Sequence, residues 1–409
     1  MKVLIEFENV PLLFEHPDEI IRCHGESGIF RAFERMEQAL DRGCHLAGFL
    51  SYEAGYGMER VLTTAKRRSF PLVMMGVYGR PVRKGLGVGK VDAGGRVNGI
   101  RPDITYERYA DQIRLIRRYI EQGDVYQITH CLKMLFSFEG QAEVLYRRLK
   151  RVQPVPYPAY LEAGPWTILS LSPEMFVKKG GTFVVTKPMK GTWPRGREGA
   201  GDRREARRFR RDAKNRAENV MIADLLRNDL GRIGRDVRAP HLFEVTPYRT
   251  LFQMTSTVTA RVPRDIPLVR LFGALFPSGS VTGAPKIRAM EIIREIEGER
   301  RIHTGAIGYV TPERDLFFNV PIRTLLLRDG RGEMGIGGGI VWDSTPEGEW
   351  AECLLKAGFL KACMKEDGLI AEKCVKEAAV RLGLILLEVF VPLSDFGIGQ
   401  RHNVVCPSN

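Results

Sequence analysis

Tyr109, Ile113, Ile116 and Ile120 recur every three or four positions, the spacing that lines one face of a helix. Thr105 offers an N-cap and Gly123-Asp124 a stop, so a helix is predicted between them. The pattern then changes to a strand over 125–138, a helix over 142–151 and a series of strands with turn signals over 159–187. Long helices are predicted over 206–230, 285–297 and 346–364, with strands at 305–310, 316–327 and 333–341 between the last two. Residues 1–80 alternate between strands and helices, with an apolar strand at 47–53, and the Gly-, Lys- and Arg-rich stretch 84–99 reads as a surface hairpin or linker. Strands interrupted by long helices, without regular βαβ alternation, predict an α+β fold of antiparallel sheets covered by helices. The chain divides into an N-terminal part of that fold (1–100), a central region (101–364) and a tail (365–409) with no assigned role.

Composition narrows the class. The 409 residues are 44% hydrophobic, enough for a large core, and no apolar run approaches the roughly 20 residues of a membrane span. The nearest, 379–393, is broken by Arg381 and Glu388, and the N-terminus lacks a signal-peptide layout, so a cytoplasmic location without membrane partners is expected. Seven scattered cysteines without a Cys-x-x-Cys pair argue against a disulfide framework or structural zinc. The net charge is +13, with much of the excess between Arg203 and Arg216. That run holds a single aromatic, Phe209, and leads into a helical pattern, which favours a solvated helix face over a nucleic-acid surface. Nucleic-acid binding is the alternative from another class.

Four segments carry candidate chemistry. Ser172-Pro173-Glu174 follows an apolar strand; a carboxyl entering a cleft there would be kept protonated by desolvation, as a general acid needs, while an exposed turn glutamate is the plainer reading. The loop 187–196 sets Lys190, Gly191 and Thr192 between prolines, suiting anion contacts or, with its amine pKa depressed, a nucleophilic lysine, while a solvated surface loop is an equal reading of the bare segment. Glu218 shares a helical face with Ile222 and Leu225, and Glu349 and Glu352 share a face of a helix opened by Thr345 and Pro346. Carboxylates from two distant helices facing one cleft suit Mg²⁺; a surface pair of Glu352 with Lys356 is the alternative. The turn 277–286, with Thr282 and Lys286, precedes a helix as an anion-binding turn does, although its spacing is not that of a P-loop. Gly337, Gly338 and Gly339 would let a ligand approach the backbone, and Arg323 offers a planar fork for a carboxylate.

At these residues the chain resembles the chorismate-utilising enzymes: anthranilate synthase large subunits, aminodeoxychorismate synthases, isochorismate synthases and salicylate synthases. The resemblance covers about 106–360, with a weaker echo at 48–57, and its segments occur in the family's order. It implies a large sandwich of two roughly orthogonal antiparallel β-sheets flanked by helices. It also implies Mg²⁺ held by Glu218 and Glu352 with Glu349 beside them, and Glu174 as the acid that protonates the departing C4 hydroxyl of chorismate. Gln127, Gly191, Thr192, Thr282, Lys286, His303, Arg323, Gly337, Gly338 and Gly339 fall around the implied substrate site. Aminodeoxychorismate synthases carry a lysine where this chain has Lys190, whereas anthranilate synthases typically carry alanine. The implied product is 4-amino-4-deoxychorismate, on the route to p-aminobenzoate and folate, formed through addition of the lysine amine to C2. Gln127 stands where isochorismate-forming relatives have a water-activating lysine. The implied ammonia source is a separate glutamine amidotransferase chain. Gln253 and His303 depart from the histidine and tyrosine of many relatives, and Thr129 and Cys131 from the usual Tyr-Gln-x-Asn strand. The tryptophan-binding Leu-Leu-Glu-Ser motif is missing, so no tryptophan feedback is expected.

Overall fold

The computed structural model describes residues 1–86, 95–195, 199–248 and 251–362; the tail 365–409 and residues 87–94 of the expected hairpin at 84–99 lie outside them. Two antiparallel sheets take up the strands among the described residues. In the first, neighbours run Gly283–Ala284, Gln127–Glu139, Arg331–Ile340, Thr324–Arg328, Trp166–Ser172, Tyr157–Ala163, Lys2–Ile5 and Leu12–Phe14. Arg96–Pro102 also pairs with Gln127–Glu139. The second runs Met189–Pro194, Leu251–Arg261, Phe183–Lys187, Met175–Gly180, Leu316–Asn319, Ala306–Val310, His45–Leu50, Val73–Tyr78 and Glu19–Cys23. Arg235–Pro247 also pairs with Leu251–Arg261.

The helices are α1 (Ile29–Asp41), α2 (Ala54–Met58), α3 (Tyr106–Glu121), α4 (Ala142–Val152), α5 (Ala200–Arg211), α6 (Ala213–Gly231), α7 (Leu268–Leu275), α8 (Lys286–Ile296) and α9 (Pro346–Ala362). Alternation of side chains along each strand gives each sheet two apolar faces. Between the sheets, Val3, Ile5, Ala159, Leu161 and Leu326 of one meet Ala47, Phe49, Ile307 and Phe317 of the other. On the outer face of the first sheet, Leu132, Leu169 and Ile340 pack with Ile113 of α3, Leu149 of α4, Ile293 of α8 and Ala357 of α9. On the outer face of the second, Leu46, Val177 and Val258 pack with Phe33 of α1, Ile222 of α6 and Phe272 of α7. Each of the buried Val, Leu, Ile and Phe side chains among these contributes about 1.5–3 kcal/mol. The first 100 residues are woven into both sheets: Lys2–Ile5 pairs with Tyr157–Ala163, and His45–Leu50 with Ala306–Val310.

Two expected elements are each divided. The helix expected over 206–230 is α5 and α6, separated at Asp212, whose backbone is extended and whose carboxylate caps α6 by accepting from Asn215 N at 2.9 Å. The strand expected over 316–327 is two strands in different sheets, Leu316–Asn319 and Thr324–Arg328. Residues 320–323 carry the chain from one sheet to the other, which continuous apolar character could not reveal. Arg323, expected within a strand, sits at this crossover with φ +51°.

Candidate active site

Lys190 is placed by a β-bulge. Phe183–Lys187 and Met189–Pro194 pair in succession with one strand, Leu251–Arg261, and keep a single register up to Met189, opposite Thr255. Thr192 is then opposite Gln253, so the chain has inserted one residue at Lys190-Gly191. Gly191 absorbs it with φ +95°, and a β-carbon there would lie 2.7 Å from Asn215 Oδ1. Carbonyls exposed by the bulge are collected by Asn219 of α6, whose Nδ2 donates to Lys190 O and to Met254 O, each at 3.4 Å. Ser256 Oγ donates to Asn219 Oδ1 and fixes that amide. Asn219 was missed from sequence, although it adjoins Glu218.

The Lys190 amine reaches the first sheet, where a β-carbon at Gly339 would lie 3.1 Å from its Nζ and 2.1 Å from Gln127 Nε2. Burial holds the lysine below its ordinary pKa, against the opposing pull of Glu218 and Glu174. Gln127 is fully buried, and neither polar atom of its amide has a hydrogen-bond partner. Such an amide is unfavourable unless something else fills the space beside it.

Glu174 lies 2% exposed beyond the end of Trp166–Ser172. Its backbone is fixed by Ser172 Oγ, which accepts from Glu174 N at 3.1 Å, and by Val320 N, which donates to Glu174 O at 3.0 Å. Ser280 Oγ donates to its carboxyl Oε1 at 2.5 Å and Met189 N at 3.3 Å. Burial nevertheless dominates and pushes its pKa up to about 7, with Ser280, Met189 and Lys190 pulling the other way. A carboxyl that keeps its proton near neutrality can act as an acid.

Glu349 and Glu352 extend from α9 over the backbone of Gly338, where a β-carbon would meet Glu349 Oε2 at 2.9 Å and Glu352 Oε1 at 4.0 Å. Burial raises the pKa of Glu349, opposed by a 2.6 Å hydrogen bond from Ser344 Oγ, and also raises that of Glu218. Lys356 holds Glu352 below its usual range from 2.7 Å and donates to Gly337 O at 2.6 Å. The expected surface pair therefore exists, but its lysine is also tied to the glycine strand. Among the described residues no three His, Cys, Asp or Glu side chains are grouped closely enough to hold a metal ion unaided. Glu349 and Glu352 lie beside the Gly338 backbone, and Glu218 lies within electrostatic reach of Glu352 and Lys190.

The remaining expected residues divide. Arg323 has a buried Nη1 without a partner, and desolvation pushes its pKa down to about 10, as befits a guanidinium awaiting an anion. Tyr248, absent from the sequence-based set, lies in its field. His303 packs its ring where a β-carbon of Gly335 would be, and burial drops its pKa to about 3, so the imidazole is neutral. Thr282 is fully buried and donates to Ser278 O at 2.9 Å, while Thr192 is exposed. Lys286 does not face the cleft as a free cation: its Nζ lies 2.9 Å from Asp229 Oδ2 and donates to Ala274 O at 2.8 Å. Charge alone could not distinguish that internal pair from a substrate contact.

Sequence reasoning also missed the support beneath the site. Arg300, 4% exposed, bonds Glu297 through Nε at 2.7 Å, Thr129 O at 2.6 Å and Val281 O at 2.8 Å. It thus ties the 277–285 loop to the strand that carries Gln127. Glu297, held down to about 2 by Arg300 and His130, also accepts from Cys131 N at 2.9 Å.

Residues 89–362 match the chorismate binding enzyme family. The chain is 39% identical over 253 residues to aminodeoxychorismate synthase component 1 of Salmonella typhimurium, covering 61% of this chain and 56% of that protein. It is 38% identical over 282 residues to anthranilate synthase component 1 of Thermus thermophilus, covering 68% of this chain and 61% of that one. The matched stretch is thus little more than half of these relatives' length. Anthranilate synthase component I from Streptococcus pneumoniae superposes with a TM-score of 0.72 at 23% identity, over 89% of this chain and 90% of the other, and so shares the fold. With the family match spanning most of the chain and the fold in agreement, this chain belongs to the chorismate binding enzymes.

Proposed function

We propose that the chain is the chorismate-processing subunit of an aminodeoxychorismate synthase, converting chorismate and ammonia to 4-amino-4-deoxychorismate and water. The observation that carries this reading is that buried Lys190 and buried Glu174 lie in each other's field, with Met189 N beside Lys190 donating to the Glu174 carboxyl, the amine pKa lowered by burial and the carboxyl raised to about 7. The neutral amine adds through Nζ to C2 as both ring double bonds shift by one position and the C4–O bond breaks. Glu174 gives its proton to the departing hydroxyl, which leaves as water. Ammonia then attacks C4, and Lys190 leaves C2 with its electron pair. Two displacements replace one difficult substitution.

Arg323 and the backbone of Gly337 to Gly339 bind the substrate carboxylates, while Gln127, Thr282 and His303 shape the neutral part of the cleft. Glu218, Glu349 and Glu352 would hold Mg²⁺, since the two burial-raised carboxylates gain most from a cation beside the Gly338 backbone. Bound there, Mg²⁺ would neutralise a substrate carboxylate. The ammonia would come from a glutamine amidotransferase on a separate chain. The cytoplasm suits the unpaired Cys23, Cys44, Cys131 and Cys353.

The second reading is an anthranilate synthase, favoured by the similarity to the Thermus protein and opposed by a lysine at position 190. Product analysis with chorismate, Mg²⁺ and ammonium separates the two. p-Aminobenzoate formed only after adding an aminodeoxychorismate lyase, and lost in Lys190→Ala, supports the proposal; anthranilate from the unmodified chain overturns it.

A further inference from the structure

We propose that the outward face of α5 is a binding site for a small multivalent oxyanion of the di- or triphosphate class. Arg204, Arg207, Arg208 and Arg211 follow the i, i+3, i+4, i+7 spacing and alone line an open hollow of about 380 Å³. All four are exposed, and like charges at this spacing repel one another. The acid among them is Glu205, which is shared: it lies 3.1 Å from Arg208 Nη1, 3.7 Å from Arg204 Nε and 3.1 Å from Trp193 Nε1. Arg207 and Arg211 have no carboxylate partner among the described residues. Guanidinium forks brought together over two helical turns match clustered phosphate oxygens. A nucleic-acid strand fits less well, because Phe209, the aromatic of this helix, is fully buried against Trp193 and offers no stacking platform.

The same contacts give the site a route to the cleft. An anion that takes Arg204 and Arg208 removes both cations from Glu205, whose other partner, Trp193, lies on the strand that carries Lys190. Occupancy should therefore be felt at Trp193.

The test titrates inorganic tripolyphosphate into the full chain without Mg²⁺ at roughly 150 mM salt, where long-range surface attraction is screened. Calorimetry and tryptophan fluorescence are read together. Saturable one-to-one binding is expected, weakened about tenfold or more in R207E/R211E and also weakened in the milder R207Q/R211Q, both of which keep the parent melting temperature or exceed it. The fluorescence change should vanish in Trp193→Phe. Absence of saturable binding, or binding by both double variants as tight as the parent's, overturns the site. Preferential retention of DNA over tripolyphosphate overturns the ligand class, and a fluorescence change that persists in Trp193→Phe overturns the coupling.

Discussion

Gln127 and Lys190, from different sheets, converge over the backbone of Gly339, where a β-carbon would lie 2.1 Å from the amide nitrogen and 3.1 Å from the amine. The missing side chain is thus what lets the two groups share a space. Gly339→Ala is expected to lower kcat about a hundredfold, since displacing a reacting group by about 1 Å has that effect. Steady-state kinetics alongside a circular dichroism spectrum checks this; unchanged turnover would show that neither group needs its present position.

Glu174→Gln should reduce turnover by roughly 10²–10⁴-fold, the usual contribution of an acid. Its effect on stability has the opposite sign. The folded carboxyl titrates near 7, above the ordinary 4.5, so its stabilising contribution is complete below about pH 4.5 and is lost as pH rises through 7. At pH 8 the glutamine variant should be more stable than the parent by about 1–3 kcal/mol, as denaturant unfolding would show.

Ser280 donates to the Glu174 carboxyl and holds its pKa down. Ser280→Ala should therefore raise that pKa further and move the alkaline limb of the kcat/KM profile to higher pH. A limb that stays in place or moves down would mean that another group sets it.

Arg323→Gln removes a buried cation with an unpartnered nitrogen. KM for chorismate should rise by tenfold or more, while the melting temperature of the free chain stays level or increases, because no internal anion is orphaned. Arg300→Met should do the reverse in the free chain. It strands the buried Glu297 carboxylate, at a cost of about 3–5 kcal/mol measured by chemical denaturation.

The residues that announce themselves in the sequence are those whose chemistry depends on local company. Lys190 between prolines, Glu174 after an apolar strand and the 337–339 glycines are candidates from their neighbours and are singled out by the family resemblance, an exposed turn being the plainer local reading of Glu174. The structure sets the Lys190 amine beside Gly339 and the Glu174 carboxyl beside the Met189 backbone. The helix 106–121 was legible from its own period and cap. Arg300 and Asn219 were not, because their roles are to satisfy carbonyls from distant strands, and nothing near them in the chain records those partners. Lys286 shows the converse: a lysine at a helix start looks available until Asp229 is found beneath it. The crossover at 320–323 stayed hidden because two successive strands with the same apolar character can enter different sheets.

The one-residue insertion at Lys190-Gly191 is confined to the point where it occurs. Beyond it, Trp193 and Phe252 are opposite one another and pack with Phe209 of α5. The aim of the amine and the seating of the arginine helix are therefore separable properties of this strand. Deleting Gly191 would leave Lys190 alone opposite Met254 and redirect its side chain, while Thr192 and Trp193 kept Gln253 and Phe252 as partners. A loss of length at this point moves the amine and spares the packing beyond it.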